Sequence, residues 1–215
     1  MRRFSCLILL ALIALTQAGC KSSYYGFWEK FGYEKRDIFV ERVEDARDAQ
    51  NGAKEEFKTT LERFQEITGK TGGDLEAKYK KLNGAYEDCK GRADKVSARI
   101  KDVETVANDL FAEWGTEIEQ ISDAKLRSKS AELRSDTMSR YKDLITAMKK
   151  SEAKMPPVLQ AFNDQVLFLK ANLNAAAVSS LQDTAIEIED DVTKLIAEMD
   201  ASIKEANEFI ESLGK

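Results

Sequence analysis

The chain has 215 residues, 33% of them charged and 43% hydrophobic, and a formal charge of −5. It contains no histidine, which excludes Ser–His and Cys–His catalysis within the chain and removes the commonest zinc ligand. An acidic body without a basic stripe disfavours nucleic acid as a partner, and the three cysteines and two internal prolines point to a helical protein, not a disulfide framework.

The N-terminus reads as an export signal. Arg2 and Arg3 precede an apolar run, Phe4 to Leu15, which is too short for a stable membrane span. Gln17-Ala18-Gly19-Cys20 resembles a bacterial lipoprotein box, with Gln17 where that pattern usually carries leucine. Residues 1–19 are therefore expected to be a lipoprotein-type signal peptide, with Cys20 the lipidated first residue. A plain cleaved signal and an uncleaved anchor are the alternatives. Cleavage leaves 31 basic against 38 acidic residues, a net charge of −7. Lys21, by resemblance to Gram-negative sorting, favours the outer over the inner membrane. The expected location is exported and periplasm-facing, with the membrane as a partner through the lipid anchor.

Residues 20–33 form an aromatic neck. Tyr24, Tyr25, Phe27, Trp28, Phe31 and Tyr33 are interrupted by Gly26 and Gly32. The rings can sit at lipid headgroups or pack on the body. Packing is favoured, because six exposed aromatics would make an adhesive patch. Trp28 and Phe31, three apart, would share one helical face.

Residues 34–215 show four long seams. From Glu34 to Thr68 the stepping Phe39, Val43, Ala46, Gln50, Ala53, Phe57, Thr60, Phe64, Ile67 alternates four and three, with Gln50 and Thr60 as polar members able to fix register. Gly69 to Gly73 stops this helix and Asp74 offers the next N-cap. The strictest repeat follows: Leu75, Tyr79, Leu82, Tyr86, Cys89, Ala93, Val96, Ile100, Val103, Ala107, Leu110, Trp114, a period of 3.5 that continues through Ile118 and Ile121. Such a rod of roughly 48 residues rises about 70 Å. Ser122-Asp123 gives a turn and a cap. The third seam holds Leu126, Leu133, Tyr141, Ile145, Met148, Met155, Leu159, Phe162, Val166, Leu169 and Leu173, and its stepping passes through Glu152 and across Pro156-Pro157. The unbroken register predicts a kink there; a full turn is the other possibility. The next break is expected near Asn174, with Ser180 and Asp183 as a capping box. The fourth seam runs Leu181, Ala185, Ile188, Val192, Leu195, Met199, Ser202, Ala206, Phe209, Leu213.

The motifs that carry chemistry elsewhere weigh little here. Gly69-Lys70-Thr71 would need a glycine at position 64 to be a P-loop, and that residue is Phe64. Cys89 sits in a seam and reads as a small buried hydrophobe, with an intermolecular disulfide as the alternative. Glu187, Glu189, Asp190 and Asp191 read as a solvated face, since a regular helix lacks the loop carbonyls that calcium sites use. No cofactor, metal or small-molecule substrate is expected. Val166-Leu167-Phe168-Leu169 is apolar all round. It fits bundle core, or, in Val166 and Phe168, a partner contact.

The expected fold is all-α: an elongated antiparallel bundle or coiled coil of about four long helices, preceded by the short aromatic neck. The first and fourth helices should stop short of the Trp114–Leu126 hairpin, leaving Phe111, Trp114, Ile118 and Ile121 half covered, with Trp28 and Phe31 capping that end. Four segments, Tyr25–Asp37, Val43–Gln50, Gly72–Leu82 and Asp164–Asn174, resemble a family of uncharacterised bacterial proteins known only as a domain of unknown function. The resemblance implies a helical envelope protein and carries over no catalytic or binding residue. The expected function is a non-enzymatic scaffold or interaction module whose partner is another envelope protein or a second copy. A membrane-active helical bundle is the alternative.

Overall fold

The computed structural model describes residues 35–69, 74–172 and 174–213. The signal peptide, Cys20, Trp28, Phe31 and the rest of the neck lie outside the described residues. Four helices follow one another: α1 (Lys35–Thr68), α2 (Leu75–Gln120), α3 (Ala124–Ala171) and α4 (Ala175–Leu213). Among the described residues there is no strand.

Each boundary has a local cause. Thr68 Oγ1 donates back to the Phe64 carbonyl (2.8 Å) and Gly69 N–H to Gln65 O (2.9 Å), closing α1. Lys78 Nζ, from the next helix, donates to Ile67 O (3.2 Å) and satisfies a further terminal carbonyl. Asp74 caps α2, its Oδ1 accepting from Glu76 N (3.0 Å) and Ala77 N (3.1 Å). Asp123 caps α3 in the same way, accepting from Lys125 N (2.8 Å) and Leu126 N (2.9 Å). Asp123→Ala is expected to cost about 1 kcal/mol, read as a lowered urea midpoint by circular dichroism.

Helix α3 runs without a break through Pro156 and Pro157, so the chain does not turn there. The two prolines remove the amide donors for the carbonyls four residues earlier. Both are exposed, which leaves solvent on that side of the helix. Asn172 ends α3, its backbone N–H donating to Phe168 O (3.0 Å) and Leu169 O (3.3 Å). Helix α4 starts at Ala175, which corrects the capping role expected for Ser180: the turn is tighter, and Ser180 lies inside the helix.

Contacts along the helices fix their directions. Between α1 and α4, Arg36 donates to the Leu213 carbonyl. Arg47 follows with Asn207 (3.2 Å), Lys54 with Asp200 (2.9 Å) and Gln65 with Glu189 (3.0 Å). Between α1 and α2, Lys35 pairs with Glu113 (2.5 Å), Asp45 with Arg99 (3.5 Å) and Thr60 Oγ1 with Ala85 O (3.2 Å). Lys149 with Glu104 and Trp114 with Ser130 (3.1 Å) do the same for α2 and α3. In each set one number rises as the other falls, so these neighbours run antiparallel. Each exposed ion pair adds at most about 1 kcal/mol; together they mark the register more than they stabilise it.

The seams close into one core. Phe39, Phe57, Phe64, Leu82, Ile100, Leu144, Met148, Met155, Phe162, Leu169 and Leu195 are buried. Near the start of α1, Phe39 touches a ring from each of the other helices. Its ring centroid lies 6.2 Å from Phe111, 5.8 Å from Tyr141 and 5.5 Å from Phe209, all edge-on. Phe111, expected to be half covered, is 5% exposed because this layer encloses it. Further along lies a polar layer. Gln50 Nε2 donates to Ser151 Oγ (2.7 Å), Ser202 Oγ donates to Gln50 Oε1 (3.0 Å) and Ser151 Oγ donates to Met148 O (2.9 Å), all three residues being 0% exposed. The buried position on α3 is thus Ser151; Glu152, assigned to the seam from its spacing, sits half-buried at the edge.

Candidate functional site

Cys89 is a free, buried thiol. Burial pushes its pKa from the ordinary 9.0 up to about 12, a contact from Thr60 opposing the shift. The thiolate is the reactive form, so native Cys89 should alkylate about a thousandfold more slowly than the same cysteine in denaturant, where the pKa returns to its ordinary value. Iodoacetamide labelling followed by intact-mass measurement checks this. Tyr141 is also raised, from 10.0 to about 12, by burial first and the Glu104 carboxylate second. Both groups keep their protons in the folded state where the unfolded chain gives them up. The stability they support is therefore present below about pH 9 and is lost as pH rises toward 12.

The acidic stretch on α4 is solvated. Asp190 and Asp191 are exposed and share Lys194 at 3.1 and 3.6 Å, and Glu189 accepts from Gln65. Among the described residues, no three His, Cys, Asp or Glu side chains gather as a metal site. A shallow groove of about 400 Å³ lies between α2 and α3, where Ala93 and Ser97 leave room beside Lys149, Glu152 and Pro156. Asp94 and Lys149 on its lining are exposed. No described helix is long and apolar enough to cross a membrane.

Two surfaces remain. At one end, α2 and α3 project beyond the start of α1 and the end of α4. Between Phe111 and Leu144 no described residue is buried. The seam continues there as Trp114, Ile118 and Ile121, all half-buried, while Leu126 and Leu133 on α3 are 64% and 48% exposed. Their placement corrects the third seam as expected: with α1 and α4 too short to reach, nothing described covers them. The hairpin is held by contacts between its arms, among them Arg127 Nη1 donating to Ile121 O (3.3 Å). Trp114 Nε1 donates to Ser130 Oγ (3.1 Å), and Arg134 Nε donates to Phe111 O (2.9 Å) while its guanidinium lies across Gly115.

Toward the opposite end, Leu167 and Phe168 are adjacent on α3 and 50% and 41% exposed. Val166, expected beside Phe168 as a contact residue, is 2% exposed and belongs to the core. Gln165, one turn before Phe168, is buried with its amide nitrogen and oxygen unpaired, a local cost of about 1–3 kcal/mol per group. The apolar run therefore divides between two sides: Val166 and Leu169 face inward, Leu167 and Phe168 outward.

The family model described as "Protein of unknown function (DUF2959)" matches residues 24–213. Nothing among curated proteins and nothing among solved structures matches the chain.

Proposed function

The chain belongs to the DUF2959 family of proteins of unknown function, and we propose that this member is a lipid-anchored bacterial envelope scaffold that performs no catalysis. In this proposal the signal peptide directs export, Cys20 carries the acyl chains, and the bundle presents a binding surface away from the bilayer. The observation that carries it is the exposed Leu167–Phe168 pair. On α3 it lies about 28 residues beyond Arg140, near the level where α1 begins, hence about 40 Å along the bundle at 1.5 Å per residue. An apolar pair held at that distance by a packed rod suits a protein partner: large exposed apolar side chains mark contacts when they stand together.

The test uses the full chain in its own cells. A photo-reactive benzophenone residue replacing Phe168 should give one discrete adduct with an envelope protein or a second copy, and Leu167→Ser with Phe168→Ser should abolish function while leaving the melting temperature within about 2 °C, as surface changes usually do. Photolysis without adduct, or full function in the double variant, contradicts the scaffold. The membrane-active alternative predicts that the purified body releases dye from liposomes, and the scaffold predicts that it does not.

A further inference from the structure

The overhanging hairpin leaves an apolar face with no described neighbour. Helix α1 begins at its root: Lys35 Nζ lies 2.5 Å from Glu113 Oε2. The chain ahead of Lys35 thus starts beside the uncovered seam. Because α1 runs antiparallel to α2, a segment continuing backward from Lys35 in α1's direction would pass along Trp114, Ile118 and Ile121. The eleven residues 24–34 would extend about 16 Å as helix and about 36 Å fully extended. Trp114 to Ile121 spans about 10 Å of α2, so the segment is long enough in either conformation. Counted residue for residue from the Lys35–Glu113 pair, its first residue falls level with Ala124, where the hairpin turns.

The composition matches as well. Residues 24–34 carry six aromatic side chains, and the hairpin exposes Leu126 and Leu133, seven residues apart on one face of α3. The family match begins at Tyr24, so the segment and the four helices fall in one family unit. We propose that residues 24–34 of this chain dock on the apolar face of the α2–α3 hairpin, with Trp28 and Phe31 covering the seam at Trp114, Ile118 and Ile121. The docking stands apart from the lipid anchor. One consequence does rest on that anchor: acyl chains on Cys20, four residues before Tyr24, would be delivered to the hairpin tip. The tip would then face the bilayer, with Phe168 about 65–70 Å out.

The experiment places a benzophenone residue at Leu133, and separately at Leu126, in the full-length chain in isolated membranes. Both positions are exposed, so circular dichroism should match the unsubstituted protein. Docking predicts a link within one chain, with mass spectrometry joining the peptide around the probe to residues 24–34. A link to a second chain or to another protein in place of residues 24–34 overturns the proposal, as does a link to lipid alone from Leu133, or photolysis without a link in a chain of unchanged helicity. A second readout uses the two tryptophans. Trp28→Phe, set against the unsubstituted chain, gives the emission of Trp28 by difference. That emission should be shielded from acrylamide and from brominated lipid, and Leu133→Lys should increase acrylamide quenching severalfold. Trp28 open to either quencher from the outset contradicts the docking. Either failure can occur with Cys20 fully acylated, which separates it from failure of the anchor.

Discussion

Phe39→Ala is expected to lower the unfolding free energy by about 3–5 kcal/mol. The ring is fully buried, and it touches Phe111, Tyr141 and Phe209, one from each of the other helices. Removing it strips four helices of a shared contact and opens a cavity among the three remaining rings. Edge-on aromatic pairs add about 0.5–1.5 kcal/mol each beyond their buried area, which puts the loss toward the top of the range. Equilibrium urea unfolding followed at 222 nm measures it. Phe39→Leu should recover more than half of the loss. A change below about 1 kcal/mol for Phe39→Ala would mean that the four helices do not meet at this layer.

The second large effect lies in the polar layer. Gln50→Leu keeps roughly the same bulk but leaves the fully buried Ser202 hydroxyl without its acceptor and takes from Ser151 the donor it accepts from. An unsatisfied group costs about 1–3 kcal/mol; Ser202 bears this in full and Ser151, which keeps its bond to Met148 O, only in part, so about 2–4 kcal/mol is expected. The discriminating comparison is the triple change Gln50→Leu, Ser151→Ala, Ser202→Ala. Removing every polar member leaves nothing unpaired, and stability should return to within about 1 kcal/mol of the parent or exceed it. Strong non-additivity of this kind is the signature of groups that bond one another. A triple variant as damaged as the sum of its parts would show that the three side chains do not form one layer. The layer joins α1, α3 and α4 at one level, so a helix sliding by one turn would break it. Register is the role that such polar seam positions serve in coiled coils.

Much of this was legible because it is local or periodic. Asp74 and Asp123 announce their helices by capping chemistry, and the four–three stepping from Leu82 to Ala107 gives a buried seam with no miss except Tyr86, which is half-buried. Gln50 stood out as a polar residue in a seam, and its burial followed. What periodicity could not supply was its partner. On α3 the buried line runs Leu144, Met148, Ser151, Met155, Val158, Phe162, whereas stepping from Tyr141 puts Glu152 on it in place of Ser151 and so hides the hydroxyl that completes the layer. Leu126 and Leu133 fit a seam by spacing, yet burial depends on whether another helix extends that far, a tertiary fact. Val166 and Phe168 show the same limit. Four consecutive apolar residues cannot say which two face out, and only the placement of neighbouring helices divides them. The surfaces left by these divisions, one at the hairpin and one at Leu167–Phe168, are the sites of the two proposals above.

The scaffold proposal depends on the lipid anchor, the docking proposal does not, and one measurement bears on that anchor most directly. Intact-mass and peptide mass spectrometry of the protein extracted from its native membranes should find an N-terminus at Cys20, with residues 1–19 gone and diacylglycerol carried on the cysteine sulfur. A mature chain beginning elsewhere, or a Cys20 free of acyl groups in an exported product, would contradict the anchored scaffold outright.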